Sequence, residues 1–184
     1  MTLPSTLTVT RDVFRLAEAF TISRGSRTEA RVLTAHVARG GGTGCGECVP
    51  YARYGETPDS VAAQIEALPG DITREALQAA LPPGAARNAV DCALWDLEAK
   101  LSGRRVWELA GLSVPGPEIT AFTLSLDTPD SMEAAARRHA ARPLLKIKLG
   151  TPDDMPRLEA VRRGAPDARI IVDREHHRPQ GRVD

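Results

Sequence analysis

Between Glu29 and Ala38 the chain alternates. Leu33, Ala35 and Val37 are separated by Thr34, His36 and Ala38, a period of two that predicts a strand with one buried face. The Thr-, Val- and Leu-rich stretch Ser5 to Leu16 predicts a strand before it. Gly40-Gly41-Gly42 supplies a turn, and a third strand through Gly46-Glu47-Cys48 completes an antiparallel meander. The period then lengthens. Thr57-Pro58-Asp59 is a helix cap with proline at the first helical position, and Val61, Ile65 and Leu68 share a face behind it. After the break at Pro82-Pro83-Gly84, the residues Val90, Ala93, Leu94, Leu97 and Leu101 recur at helical spacing among Asp91, Asp96, Glu98 and Lys100, and Gly103 closes the helix. Residues 1–112 therefore predict an α+β unit.

From Ser113 to Glu118 the composition becomes that of a linker, with Pro115, Gly116 and Pro117. Beyond it the order changes to strand Ile119 to Leu126, helix Pro129 to Ala141, strand Leu144 to Leu149, helix Pro152 to Arg163 and strand Arg169 to Asp173. Near-continuous apolar strands alternating with helices predict a parallel sheet over residues 113–173, either doubly wound or a barrel.

Charge and cysteine content narrow the partners. Twenty-four basic and twenty-four acidic residues cancel, so no net field draws the chain to nucleic acid or to an anionic membrane, and a small-molecule partner is expected. No window approaches the ~18 apolar residues of a membrane span, and the N-terminus lacks a signal-peptide pattern, so the expectation is a cytoplasmic protein. Three cysteines argue against a disulfide framework. Cys45 and Cys48 form C-x-x-C without a second ligand pair, and are read as small residues beside glycines in a turn.

The candidate chemistry lies in the second half. Leu144-Leu145-Lys146-Ile147-Lys148-Leu149 puts Lys146 and Lys148 on one strand face and Leu145, Ile147 and Leu149 on the other. Two ammonium groups turned toward a sheet interior need anions nearby, and close ammoniums lower each other's pKa, which suits a lysine base. An edge strand with both lysines in solvent is the alternative. Ile170-Ile171-Val172-Asp173 is a buried-type strand ending in a carboxylate, one βα unit after Lys148. Functional groups of parallel α/β folds gather at the carboxyl ends of strands, so Lys148 and Asp173 are expected on one rim.

Taken together, Gly44-Cys45-Gly46-Glu47-Cys48-Val49-Pro50, Arg53-Tyr54-Gly55-Glu56-Thr57, the helix Ala89-Val90-Asp91-Cys92-Ala93-Leu94-Trp95-Asp96-Leu97 and Lys146-Ile147-Lys148 resemble the enolase superfamily, and within it the muconate-lactonizing branch. Phe20-Thr21-Ile22-Ser23-Arg24-Gly25 resembles the dipeptide epimerases of that branch. The resemblance implies an α+β capping domain over 1–112 followed by an incomplete (β/α) TIM-barrel segment over 113–173. It implies abstraction of a proton alpha to a carboxylate, with Mg2+ stabilising the enolate. Lys148 would be the base and Lys146 its partner, Asp173 a magnesium ligand, and Arg24 the residue that grips an acidic substrate side chain. The substrate would be a dipeptide or another carboxylate, with muconate cycloisomerase and o-succinylbenzoate synthase chemistry as alternatives, and a homo-oligomer is compatible with all of them.

The tail departs from the family pattern, which continues the aspartate as Asp-Ala-Asn and adds strands carrying further ligands and an opposing lysine. Here Asp173 runs into Arg174-Glu175-His176-His177-Arg178. Codons for Asp-Arg-Glu-His-His-Arg, less one base, read Asp-Ala-Asn-Thr-Thr-Gly. Residues 174–184 are therefore expected to be out-of-frame or disordered sequence. The chain is expected to be a truncated, inactive piece of such an enzyme, or a non-enzymatic remnant.

Overall fold

The structure, a computed structural model, describes residues 4–23, 25–150 and 154–174. Its contacts divide the chain into two compact units, Met1–Arg15 with Glu29–Gly116, and Leu16–Thr28 with Pro117–Asp184.

The first unit holds the expected meander. Strands β1 (Thr6–Ile22), β2 (Gly25–Arg39) and β3 (Gly42–Cys48) lie in that order in one sheet, with β2 and β3 antiparallel and Leu33 opposite Cys48 at one end, Arg39 opposite Gly42 at the other. β1 and β2 are longer than the alternation implied. Their distal ends, residues 16–22 and 25–28, belong to the second unit, and β1 there carries exposed positions such as Ala17, Glu18 and Ala19 that give no two-residue signal. A 3-10 turn at Ala52–Tyr54 leads to α1 (Pro58–Glu66), where Thr57 accepts from the Ser60 amide at 3.0 Å and the Ser60 side chain answers to the Thr57 amide, so the expected cap is doubled. Helices α2 (Arg74–Ala80) and α4 (Val106–Leu109) are additions to the sequence reading. α2 has the signal of a start, Thr73 capping the Ala76 amide and Glu75 in the first turn, but is too short to show a period.

Between them α3 (Ala85–Ser102) begins ahead of its apolar stripe and ends at Gly103 with φ 66°, the left-handed cap its glycine foretold. It buries Ala86, Ala89, Val90, Ala93, Leu94 and Leu97 against Leu33, Ala35 and Val37 of β2 and the α1 residues Val61 and Ile65. The glycines of β3 allow this. A Cβ at Gly44 would overlap the Ala93 carbonyl, and one at Gly46 would overlap the Ala89 carbonyl. The Gly44-Cys45-Gly46 segment is thus a close-approach motif.

Cys45 and Cys48 lie in β3 rather than in a turn. Three apart on a strand they point to opposite faces, Cys48 buried and Cys45 exposed, which does not suit chelation of one ion by the pair. Burial pushes the Cys48 thiol up to about 11. The outer edge of β3 is covered by side chains of α3 spaced by turns of the helix. Asn88 donates to the Glu47 carbonyl (3.4 Å), Asp96 accepts the Cys45 amide (2.8 Å), and Lys100 donates to the Thr43 carbonyl (3.2 Å) and to Asp96 (2.6 Å). The Thr43 and Glu47 carbonyls and the Cys45 amide are thereby occupied and not open to pairing with another chain.

The second unit contains the βαβαβ run. β4 (Phe122–Leu124), β5 (Leu144–Leu149) and β6 (Arg169–Arg174) are parallel and adjacent in that order, with α5 (Pro129–Arg138) and α6 (Asp154–Gly164) as the crossovers. β4 is shorter than the stretch Ile119 to Leu126 suggested. Leu124, Leu145, Ile147 and Leu149 face Met132 and Ala136 of α5 and Val161 of α6, forming a core of their own. Gly164 lets the two helices meet, since a Cβ there would overlap the Glu133 carbonyl. Among the described residues no helix is long and apolar enough to cross a membrane. The tail reading falls outside the described residues from Glu175 on.

Candidate active site

The apolar side of β5 is spent on the helices, so its other side carries what remains: Lys146 and Lys148. Parallel register sets Lys146 beside Thr123 of β4 and Ile171 of β6, and Lys148 beside Asp173. The two lysines and the aspartate meet on one oxygen. Lys146 Nζ lies 2.7 Å and Lys148 Nζ 2.8 Å from Asp173 Oδ2. The edge-strand alternative fails, because β5 is the central strand of three. Lys148 is the more enclosed of the pair, its side chain 15% exposed against 32% for Lys146.

Two ammonium groups on one carboxylate explain its acidity. Hydrogen bonds from Lys146 first and Lys148 next hold Asp173 at about 2, against an opposing effect of burial. Each bond is charge-assisted, and the three groups leave one net positive charge at the ends of β5 and β6. Just past this point the Gly150 amide donates to both carboxylate oxygens of Asp154, at 3.0 and 3.1 Å, which ties the exit of β5 to the start of α6. Arg24 lies outside the described residues.

Two polar positions on β4 and its exit escaped the sequence reading. Thr123 sits in register with Lys146, and Ser125 follows two residues later. The alternation Phe122-Thr123-Leu124-Ser125-Leu126 carries the signal, a polar set opposite an apolar set, in a strand too short to stand out.

Magnesium is a hard cation that requires several oxygen donors. The described residues bring a single carboxylate to the lysines, and among them no group of three His, Cys, Asp or Glu residues is placed to hold a metal ion. A cation arriving at Asp173 would also have to displace two ammonium groups of its own sign. These residues by themselves do not fit a magnesium site.

Comparison with known proteins places the chain. It is 45% identical over 174 residues to an L-Ala-D/L-Glu epimerase of Escherichia coli (strain K12), an alignment covering 91% of this chain and 54% of that protein. A crystal structure of an enolase family member from Agrobacterium tumefaciens with homology to dipeptide epimerases, with bound sodium and L-Ala-L-Glu, superimposes with a TM-score of 0.87 at 54% identity, covering 92% of this chain and 53% of that one. A dipeptide epimerase from Methylococcus capsulatus complexed with Mg and L-Arg-D-Lys gives a TM-score of 0.80 at 26% identity over 93% of this chain and 54% of that one. The chain spans about half the length of the curated relatives it matches. Residues 5–111 match the mandelate racemase / muconate lactonizing enzyme N-terminal domain. With that domain followed by the first parallel strands of a partial barrel, the chain belongs to the mandelate racemase / muconate lactonizing enzyme family of the enolase superfamily.

Proposed function

We propose that this chain forms the base-bearing part of a dipeptide epimerase, with L-Ala-L-Glu as a representative substrate. The observation that carries the reading is the convergence of Lys146 and Lys148 on Asp173 at the ends of adjacent parallel strands, in a chain whose relatives include an L-Ala-D/L-Glu epimerase. In its neutral form the Lys148 amine takes the proton from the carbon next to the substrate carboxylate. The C–H electron pair moves into that carboxylate to give an enolate, and the Lys146 ammonium stabilises the developing charge. Lys148 is given the base role because it is the more enclosed. Return of a proton to the other face needs a second acid. Magnesium would take Asp173 as a ligand only with further oxygen donors and with the lysines moved off Oδ2, so the proton step here rests on the lysines. Arg24 is the candidate partner for an acidic substrate side chain, as a bidentate guanidinium–carboxylate pair.

The test is exchange of the substrate's α-proton for deuterium, followed by proton NMR with L-Ala-L-Glu in D2O and magnesium, on the 184-residue chain and on any longer protein that contains it. Lys148→Ala is expected to lower the exchange rate by about 100-fold or more, the usual weight of a general base. Undiminished exchange in that variant would remove Lys148 from the role. Absence of exchange with every dipeptide offered, in the longer protein, would remove the activity itself.

A further inference from the structure

Among the described residues β6 has a neighbouring strand on one side only. Ile170 and Val172 stand beside Leu145 and Ile147 and share their face, while Ile171 stands beside Lys146 on the other. Leu145 and Ile147 are fully buried, whereas Ile171 is 42% and Val172 48% exposed. α6 covers only part of the first face. Next to it runs a groove of about 680 Å³ lined by Leu158, Glu159, Arg162, Arg163, Ile170 and Val172. β6 thus offers an exposed apolar residue on each face and a row of backbone donors and acceptors along its outer edge. Such a surface suits a parallel strand that is apolar on both faces, followed by a helix laid into the groove.

We propose that the 184-residue chain is a self-folding half-barrel whose β6 edge and α6 groove take up the other half supplied as a separate polypeptide. Length identifies the occupant. The chain matches along 91% of itself only 54% of the Escherichia coli epimerase, and along 92% of itself only 53% of the Agrobacterium tumefaciens protein, so each relative carries a further large portion that this chain does not span. The second unit has a core of its own in Leu124, Met132, Leu145, Ile147 and Val161, so the surface exists before the partner arrives. A second copy fits worse. β4, at the other margin of the sheet, pairs over three residues only, and its exit is already bonded to the β1–β2 hairpin through the Leu126 amide and the Thr21 carbonyl. Two β6 edges related by a two-fold axis would run antiparallel and set their Arg162 and Arg163 rims against each other. The proposal rests on the family fold and not on the proton chemistry, and its test reads association rather than turnover.

The probe is the part of the E. coli epimerase that this chain does not span, expressed alone and mixed with the 184-residue chain. Sedimentation velocity is expected to show a 1:1 complex with a Kd of about 1 μM or below. Amide hydrogen exchange at residues 170–173 is expected to slow at least about tenfold in the complex, with β3 unchanged. Val172→Asp would bury an unpaired charge and is expected to weaken the complex about 100-fold or more. Val114→Asp, at a linker position 78% exposed, leaves it unchanged. Should the probe alone be insoluble, fusing it after Asp173 keeps the docking surface testable through the same exchange measurement. Fast exchange at residues 170–173 in the fused chain, or no complex with a soluble probe, would overturn the proposal. A dimer of the chain alone that Val172→Asp disperses would make a second copy the occupant, and a complex that forms only after residues 175–184 are removed would make the tail the occupant; either result also overturns it.

Discussion

Replacing Asp173 by Asn tests the central geometry most directly, because it removes the charge on which both lysines converge while keeping the shape. The carboxyl is held at about 2 against an ordinary 3.8, a difference of roughly 1.8 units. At 1.36 kcal/mol per unit this corresponds to ~2.4 kcal/mol of folded-state stabilisation. The Asp173 side chain is 36% exposed, so solvent screening cuts that figure to about 1 kcal/mol. A depressed carboxylate pKa stabilises the fold above the ordinary value and loses that contribution as the pH falls through the depressed one. The full gap between wild type and Asp173→Asn is therefore expected near pH 6, about half of it at pH 3, and little below pH 2. Urea unfolding at pH 6 and pH 3, followed by circular dichroism, measures it. A gap that is the same at both pH values, or no gap at pH 6, would refute the claim that the two ammonium groups share this carboxylate.

Two substitutions in the first unit have equally definite outcomes. Gly46→Ala would drive a methyl into the Ala89 carbonyl of α3, and is expected to cost at least about 1–3 kcal/mol in urea unfolding, since a helix backbone cannot move aside as a side chain can. Asp96→Ala would uncover the Cys45 amide on the outer edge of β3 and release Lys100, and is expected to raise self-association seen by light scattering at high protein concentration; an unchanged monomer fraction would show that Asn88 and Lys100 protect the edge without it.

Much of the local architecture was legible because it depends on residues near one another in the chain. The two-residue alternation of Leu33, Ala35 and Val37, the cap at Thr57, the helical spacing from Val90 to Leu101 and the glycine at 103 each carry their own signal. Elements that lacked one were missed: α2 and α4 are too short for a period, and the distal hairpin has too many exposed positions. Lys146 and Lys148 could be put on one face from spacing alone, and Asp173 on the same rim from the order of strands and helices.

What the chain's own order of residues determined was which groups face the same way along a strand, since a period of two follows from backbone geometry. Tertiary structure alone decided which groups touch. Register, set by packing Leu145 and Ile147 under α5 and α6, brought both ammonium groups onto a single oxygen of Asp173, and the fold brought Ser125 to the Ala19 carbonyl and the Thr21 amide, more than a hundred residues away. No spacing rule reaches across that distance, because such contacts depend on how separate elements pack and not on the repeat within any one of them.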